Sequence, residues 1–305
     1  MLLYSENVPS CQPFSVYICY NKRKEGDVVS QANLEEKTIK DNFIFGAVMR
    51  NPDKCKALLE CILKIKIQKI EYPELEKTID NTIESKSVRL DVYVEDGKGT
   101  IYNIEMQATD KKNLPKRMRY YQGMIDLNII DKGQDYKCLK KSYVIFICDY
   151  DEFKLGRHIY TFENHCIEVP NLKLGDDTVK IVLNTKGTVD DVSEDVKELL
   201  HYIGGDEPKS ELTRSLDNEV KAVKSSEKWR REYMTLLMRD NENKTIGKYS
   251  GFVSYVRDLD ESQLDVASKI LKCDISTIET ILSLIDEHPE MDDEEIAEIY
   301  INQMD

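Results

Sequence analysis

SVRLDVYVEDGKGTIYNIEMQA, which covers residues 87–108, predicts two strands joined by a tight turn. Its first part, 87–94, and its last part, 100–108, alternate apolar and polar residues, as strands with one buried face do. Between them, Asp96-Gly97 and Gly99 can take the positive φ that short hairpin turns require. The stretch therefore predicts a β-hairpin.

Three polar side chains of this hairpin can share one face. Glu105 and Gln107 are two residues apart, so their side chains project to the same side of a strand, and Asp91 on the opposing strand can face them. Two carboxylates among apolar neighbours are destabilised by their mutual repulsion and by the loss of hydration. A cation that pairs with them offsets this cost. Mg²⁺ is the simplest such cation, since it takes a few carboxylates plus water and phosphate oxygens. The alternative is that all three are solvated residues on an open face.

Further elements lie on both sides of the hairpin in the sequence. The predicted helices run from about Ala32 to residue 49, from Asn51-Pro52 onwards, and over Leu114, Met118, Tyr121, Ile125 and Ile129, closed by Lys132-Gly133. The other predicted strands are 65–71, 142–148, 158–164 and 179–186. SYVIFIC, residues 142–148, is a continuous apolar run, as in a strand buried on both faces. After about residue 190 the pattern becomes helical, which indicates an α/β domain followed by a helical region.

The composition indicates a folded protein of the cytoplasm. Apolar residues make up 41% and charged residues 33% of the 305, and no stretch has the continuous apolar length that a bilayer span needs. Residues 1–33, a poorly specified leader, lack the features of a secretory signal. The eight cysteines form no CxxC pair, so buried reduced thiols are the simplest interpretation.

The net charge of −14 argues at first against a polyanionic partner. The charge is unevenly distributed, however. The tail 286–305 holds nine carboxylates and no Lys or Arg, so the rest of the chain carries only −5, while KKNLPKRMR (111–119) holds five cations and no acid. Because the local field near a site governs the approach of a polyanion, DNA stays a candidate partner.

Five segments together resemble a known family. They are KDNFIFGAVM (40–49), SVRLDVYVED (87–96), NIEMQ (103–107), LPKRMRYYQGMID (114–126) and SYVIFICDYDEF (142–153). In this order they are similar to the PD-(D/E)XK nuclease superfamily, and within it to the Rpn-like recombination-promoting nucleases that are also described as transposases. The resemblance covers about residues 34–205, and 206–305 forms a separate helical C-terminal region, with a boundary near GGDEPKS.

The resemblance implies a restriction-endonuclease-like fold with an αβββαβ core and DNA cleavage that depends on Mg²⁺, or on Mn²⁺ in its place. It implies that Asp91 and Glu105 hold the metal, that Asp41 adds to the metal shell, and that Gln107 occupies the last motif position. The superfamily usually has lysine at that position. Neutral glutamine can orient a water but brings no charge. Arg117 and Arg119, with Lys116 behind them, are therefore the candidates for a compensating cation, although each can equally lie on a solvated helix face.

The sequence thus predicts a metal-dependent DNA endonuclease linked to recombination or transposition. The expected DNA contacts are Lys111, Lys112, Lys116, Arg117, Arg119 and Tyr120. The alternative is a DNA-binding or interaction protein that keeps the fold without turnover, which the missing lysine favours. For the C-terminal helices, self-association as a homodimer is a better interpretation than a DNA-gripping helix-turn-helix, since 275–305 lacks clustered cations.

Overall fold

The computed structural model of the chain describes residues 32–72, 78–79, 88–89, 91–257, 259–260 and 263–304. Contacts divide the chain into two units, one up to Glu36 and one from Lys37 to Asp305. A short helix, α1 (Ala32–Glu35), lies in the first unit. The predicted leader, 1–33, falls almost entirely outside the described residues. All that follows concerns the second unit.

A six-stranded mixed sheet forms the centre of this unit. Its strand order is β1-β4-β5-β6-β8-β7, and the neighbours β5, β6 and β8 are parallel while the other pairs are antiparallel. A separate two-stranded sheet joins β2 and β3. The strands are Ile70–Glu71 (β1), Thr78–Ile79 (β2), Val88–Arg89 (β3), Val92–Asp96 (β4), Ile101–Gln107 (β5), Ser142–Cys148 (β6), Ile159–Phe162 (β7) and Thr178–Asn184 (β8).

Helices precede, cover and follow this sheet. They are Asn42–Met49 (α2), Pro52–Leu63 (α3), Leu114–Ile129 (α4), Glu194–Ile203 (α5), Glu211–Ser225 (α6), Glu227–Val256 (α7), Leu264–Leu271 (α8), Ile275–Glu287 (α9) and Asp293–Met304 (α10). A mixed α/β core with a helical C-terminal region is the predicted architecture, and it is consistent with a restriction-endonuclease-like fold. The predicted boundary near residue 205 falls just after α5 and stays a prediction.

The apolar core explains the central strands. Residues 144–148 of β6 are fully buried, because parallel neighbours lie on both sides and helices cover the faces. On one face, α4 places Leu114, Met118 and Ile125 against Val144 and Phe146. Each such side chain contributes roughly 1.5–3 kcal/mol of burial free energy, so the α4 face is held firmly on the sheet.

The hairpin turn forms as the sequence predicts. Gly99 has a φ of +82°, whereas Gly97 does not adopt the left-handed region. The Asp96 carboxylate accepts hydrogen bonds from the backbone N–H groups of Lys98 and Thr100, at 2.8 and 2.9 Å. The turn therefore depends on one glycine and one aspartate.

Three sequence-based elements are wrong in their bounds. The helix predicted from Ala32 to residue 49 is broken, because the Asp41 side chain caps a new helix, α2, with bonds to the N–H groups of Phe43 and Ile44. The strand predicted at 65–71 contains only Ile70–Glu71, since Lys64 ends α3 in a left-handed conformation and the following residues do not pair.

The first strand of the hairpin is also shorter than the prediction of 87–94. Val88 and Arg89 pair with β2 instead of with β5, and Leu90 lies outside the described residues. Asp91 lies at a bend, one residue before β4 begins. The candidate carboxylate therefore stands at the entrance of the strand and not within it.

The other predicted elements agree with the structure. Asn51 caps α3 and Pro52 is its first residue. The helix over 114–129 and the strands near 142–148, 158–164 and 179–186 all form, as α4, β6, β7 and β8. Among the described cysteines all six are free, and two of them, Cys55 and Cys148, are buried.

The helical C-terminal region contacts the core at its beginning and forms a second core at its end. Phe43 of α2 packs edge-on against Trp229 of α7, at 6.0 Å between ring centroids. The distal end of α7 packs with α8, α9 and α10 around buried residues that include Val253, Ile281 and Ile296. Between these two ends, residues 238–245 of α7 are all exposed. No helix in the described part of the chain is long and apolar enough to span a membrane.

Candidate active site

Asp91 and Glu105 hold each other in place across the hairpin. Because Val92 pairs with Ile104, the antiparallel register sets Asp91 opposite Glu105. The Met106 N–H donates to Asp91 Oδ2 at 3.1 Å, and the Asp91 N–H donates to Glu105 Oε1 at 3.1 Å. Each carboxylate is thus oriented by the backbone of the other segment, so the two acidic groups form a fixed pair.

The electrostatics of this pair call for a counter-charge. Glu105 is only 2% exposed. Burial, and then the neighbouring Asp91 carboxylate, raise the pKa of Glu105 well above its usual range, although the Asp91 N–H and Arg117 oppose the shift. A buried carboxylate in this position is stabilised either by a proton or by a cation.

Gln107 ends β5 on the same face as Glu105, and its amide has two partners. The side-chain oxygen accepts a hydrogen bond from the Arg117 guanidinium, and the side-chain nitrogen donates to the backbone oxygen of Thr109. The amide therefore fixes Arg117 beside the carboxylates.

Among the described residues, Arg117 is the only cation within ion-pair distance of Glu105. One of its guanidinium nitrogens lies 3.7 Å from Glu105 Oε2. It also donates to the Tyr121 hydroxyl at 3.0 Å, and its guanidinium lies 5.2 and 5.1 Å from the ring centroids of Tyr121 and Phe146. Tyr121, which the helical spacing assigns to the core, thus also supports the site.

The remaining residues of the basic run lie elsewhere. Lys111, Lys116 and Tyr120 are exposed, and Lys112 is bonded to Asp110. Arg119 is two residues from Arg117 and so points to a different side of α4. It lines a groove of about 450 Å³ with apolar side chains such as Phe153 and Phe162. Two arginines that are equivalent in the sequence therefore have different surroundings.

Asp41 has a structural task at the beginning of α2. Its carboxylate accepts from two backbone N–H groups of the helix, and it forms an ion pair with Lys37 at 3.3 Å. The same helix passes the carboxylate pair, since a Cβ on Gly46 would lie 3.5 Å from the Asp91 carbonyl oxygen. The structure thus describes Asp41 as a helix cap, and its role toward a metal stays a prediction.

Asn103 was not among the residues that the sequence singled out. It lies two residues before Glu105 on the same face of β5 and is fully buried. Neither atom of its amide makes a hydrogen bond of normal geometry within the described residues, although the amide is close enough to Glu105 to lower the pKa of that carboxyl. Such groups usually bind an ordered water or a ligand. The strand alternation was the signal that could have identified it.

A divalent cation fits this set of donors. Within the described residues, no group of three or more His, Cys, Asp and Glu side chains could hold a metal. Mg²⁺ does not need such a group, since it is usually bound by one or two carboxylates with waters and substrate phosphates. The like-charged pair of Asp91 and Glu105, with the buried Asn103 amide beside it, meets that requirement.

Comparison with known proteins gives one result. Residues 42–178, somewhat less than half of the chain, match the model of a family described as PD-(D/E)XK nuclease family transposase. The match runs from the beginning of α2 to the beginning of β8 and includes Asp91, Glu105, Gln107 and Arg117. It confirms the resemblance that the five sequence segments indicate. Neither the curated proteins nor the solved structures contain a match to this chain.

Proposed function

We propose that this chain, whose residues 42–178 match the PD-(D/E)XK nuclease family, is a metal-dependent endonuclease that hydrolyses DNA phosphodiester bonds. The family match supports a nuclease-like function. Our proposal adds three points: that the enzyme depends on a metal cation, that it cuts within a strand, and that its substrate is DNA. The observation that carries them is the buried pair of Asp91 and Glu105, oriented by reciprocal backbone hydrogen bonds.

In this mechanism Asp91 and Glu105 hold the cation. A bound Mg²⁺ supplies Lewis acidity toward the phosphate and lowers the pKa of water. Arg117 carries a fork of N–H donors that suits phosphate oxygens, and it lies beside Glu105. There it would stabilise the negative charge that develops at the reacting phosphate.

Gln107 has a different part in the proposal from the usual lysine. Its amide oxygen accepts a hydrogen bond from Arg117, so Gln107 positions the positively charged guanidinium instead of supplying a positive charge itself. The exposed residues Lys111, Lys112, Lys116 and Arg119, with Tyr120, are proposed to contact the DNA on either side of the cut. Because the family description names transposases, we propose that the cut serves DNA recombination or transposition.

The test is nicking of supercoiled plasmid by purified protein with Mg²⁺ or with EDTA. We expect cleavage with Mg²⁺ alone, and its loss in Asp91→Asn and Glu105→Gln, which keep the side-chain shape and remove the charge. Arg117→Gln should be slower by about 100-fold, the usual effect of removing one donor to a developing oxyanion. Glu227→Gln is the matched control, since that carboxylate is 81% exposed on α7. Cleavage that persists in EDTA, or in Glu105→Gln, contradicts the proposal.

A second candidate function rests on Arg117. Its guanidinium already lies 3.7 Å from Glu105 Oε2 and can supply the counter-charge that a metal would bring. The chain would then be a DNA-binding protein with the nuclease fold but without turnover. In that case the plasmid stays intact in Mg²⁺, DNA binding persists, and Mg²⁺ does not change the thermal stability of the protein.

A further inference from the structure

The carboxyl ends of the three parallel strands meet at one edge of the sheet. The register aligns Gln107 of β5 with Cys148 of β6, and Cys148 with Asn184 of β8. The next residues stay close, because the Asp149 N–H donates to the Gln107 carbonyl at 3.1 Å and the Thr185 N–H donates to the Cys148 carbonyl at 3.0 Å. Asp149 is therefore one backbone hydrogen bond away from the residue that holds Arg117.

Two lysines converge on Asp149 at this edge. Lys40, which precedes the cap of α2, places its Nζ 2.9 Å from Asp149 Oδ2, and Lys186 places its Nζ 3.0 Å from Oδ1. The Thr185 hydroxyl also donates to Oδ1, at 2.6 Å. The Asp149 side chain is 19% exposed, that of Lys40 is 27% exposed and that of Lys186 is 53% exposed. Asp149 is thus the least exposed member of the cluster, and both lysine side chains reach the solvent.

The charges of this cluster do not cancel. Burial raises the pKa of Asp149, but hydrogen bonds from Thr185, Lys40 and Lys186 outweigh it and lower the pKa below its usual value. One full negative charge therefore faces two positive charges. Each ammonium has three N–H donors and gives one of them to Asp149. The remaining donors and the net positive charge suit an anion with several oxygens.

We propose that Lys40 and Lys186 bind a backbone phosphate of the nucleic acid, next to the phosphate that lies at Asp91 and Glu105, and that Asp149 is the positioning residue for both lysines. This inference rests on the proposed function, since it takes a phosphodiester as the ligand. The adjacency of Asp149 to Gln107 places the cluster on the same edge of the sheet as Arg117. The DNA path would thus cross the carboxyl edge of β5, β6 and β8, in addition to the 111–119 run.

The test is the salt dependence of DNA binding, measured in EDTA by fluorescence anisotropy of a labelled duplex. Each phosphate contact contributes about −0.9 to the slope of log K against log salt. Because both lysines bind one phosphate, we expect Lys40→Gln with Lys186→Gln to make the slope shallower by about 1. The control is Lys69→Gln with Lys221→Gln, two lysines that are 71% exposed and are also bonded to carboxylates. It changes the net charge equally and should leave the slope as it is.

Asp149→Asn separates phosphate binding from a purely structural role. Asparagine keeps a side-chain oxygen that can hold the lysines in position but removes the negative charge between them, so we expect tighter binding at low salt and a steeper slope. The alternative is that the cluster only stabilises the contact between these segments of the fold. Asp149→Asn would then weaken DNA binding as the lysine variants do, with a matching fall in melting temperature, and this result overturns the inference. Equal slopes for the lysine variant and its control, or no measurable binding at low salt, overturn it too.

This binding assay is independent of cleavage. A changed slope in a protein that does not nick plasmid supports the phosphate site and contradicts the proposed hydrolysis. Nicking with an unchanged slope supports the hydrolysis and contradicts the phosphate site. The two proposals can therefore fail separately.

Discussion

The Arg117 guanidinium on α4 donates a hydrogen bond to the side-chain oxygen of Gln107, the last residue of β5. The family pattern leads one to expect a lysine at the position of Gln107. Here the strand supplies a neutral amide, and a cation from the next helix is bonded to it and lies 3.7 Å from Glu105. The positive charge is thus close to its expected place but comes from a different element.

This relationship can be tested by exchanging the two side chains. Gln107→Lys alone sets an ammonium against the guanidinium in a partly buried site, so we expect lower stability, by about 1 kcal/mol, and slower cleavage. Gln107→Lys combined with Arg117→Gln restores a single cation and should recover most of both losses. Melting temperatures and single-turnover rates of the four proteins complete the cycle. Simply additive effects would show that the two residues are not coupled.

Metal binding should be visible as stability. We expect Mg²⁺ to raise the melting temperature of the wild-type protein, since a ligand at 100 times its Kd adds about 2.7 kcal/mol. In Glu105→Gln this increase should vanish, while the melting temperature in EDTA holds or rises because a buried like charge is gone. Glu95→Gln, a variant at a β4 carboxylate paired with Lys140, should keep the increase. A Mg²⁺ effect of full size in Glu105→Gln would exclude Glu105 as a ligand.

The hairpin turn should give the stability a defined acid dependence. Burial raises the pKa of Asp96, but hydrogen bonds from Thr100, Lys98 and Tyr102 outweigh it, so the folded pKa lies below the unfolded value. The stabilisation is therefore complete above the unfolded pKa, near 3.9, and is lost as the pH falls through the folded pKa. We expect Asp96→Asn to cost roughly 1–2 kcal/mol at pH 7 and less below pH 4. Urea unfolding at both pH values checks this, and an equal cost at both contradicts it.

Asp41 offers a choice between capping and metal binding. Asparagine caps helices about as well as aspartate, whereas Asp41→Ala should lower the free energy of unfolding by about 1 kcal/mol. From the bonds to α2 we expect Asp41→Asn to keep both the stability and the Mg²⁺ concentration needed for cleavage. A higher Mg²⁺ requirement in Asp41→Asn, at unchanged stability, would instead establish the auxiliary ligand role that the family resemblance implies.

The basic run should act through the DNA backbone. Replacing Lys111, Lys112 and Lys116 together by glutamine should flatten the salt dependence of DNA binding without changing the melting temperature, because all three are exposed. Arg119→Gln tests the other side of α4, where the side chain lines the groove. If Arg119→Gln flattens the slope and the triple variant does not, the DNA follows the groove.

The sequence predicts the parts of this fold that depend on local pattern. The alternation around Glu105, the turn at Gly99 and the apolar spacing of α4 each involve neighbouring residues, so β5, the hairpin and the helix are found. The break before α2 was missed because the apolar period runs through it while the Asp41 carboxylate competes for the backbone.

The contacts of the site depend on tertiary structure and were beyond the sequence. Arg117 and Arg119 are equivalent until α4 is placed on the sheet, and only then does one of them contact Gln107. Lys40 and Asp149 are 109 residues apart and meet only through the order of the strands. Spacing within a segment therefore pairs the two carboxylates, but it leaves Arg117 and Arg119 as equal candidates for the accompanying cation.

The exposed middle of α7 constrains how this chain can change. At 1.5 Å per residue the 30-residue helix is roughly 45 Å long, and its two ends pack in different cores. A substitution within 238–245 touches neither core. A single inserted residue, by contrast, would rotate the α8–α10 cluster by roughly 100° about the helix axis relative to the sheet. In this stretch a change of an exposed side chain leaves both cores intact, whereas a change of length alters the direction in which the C-terminal cluster faces.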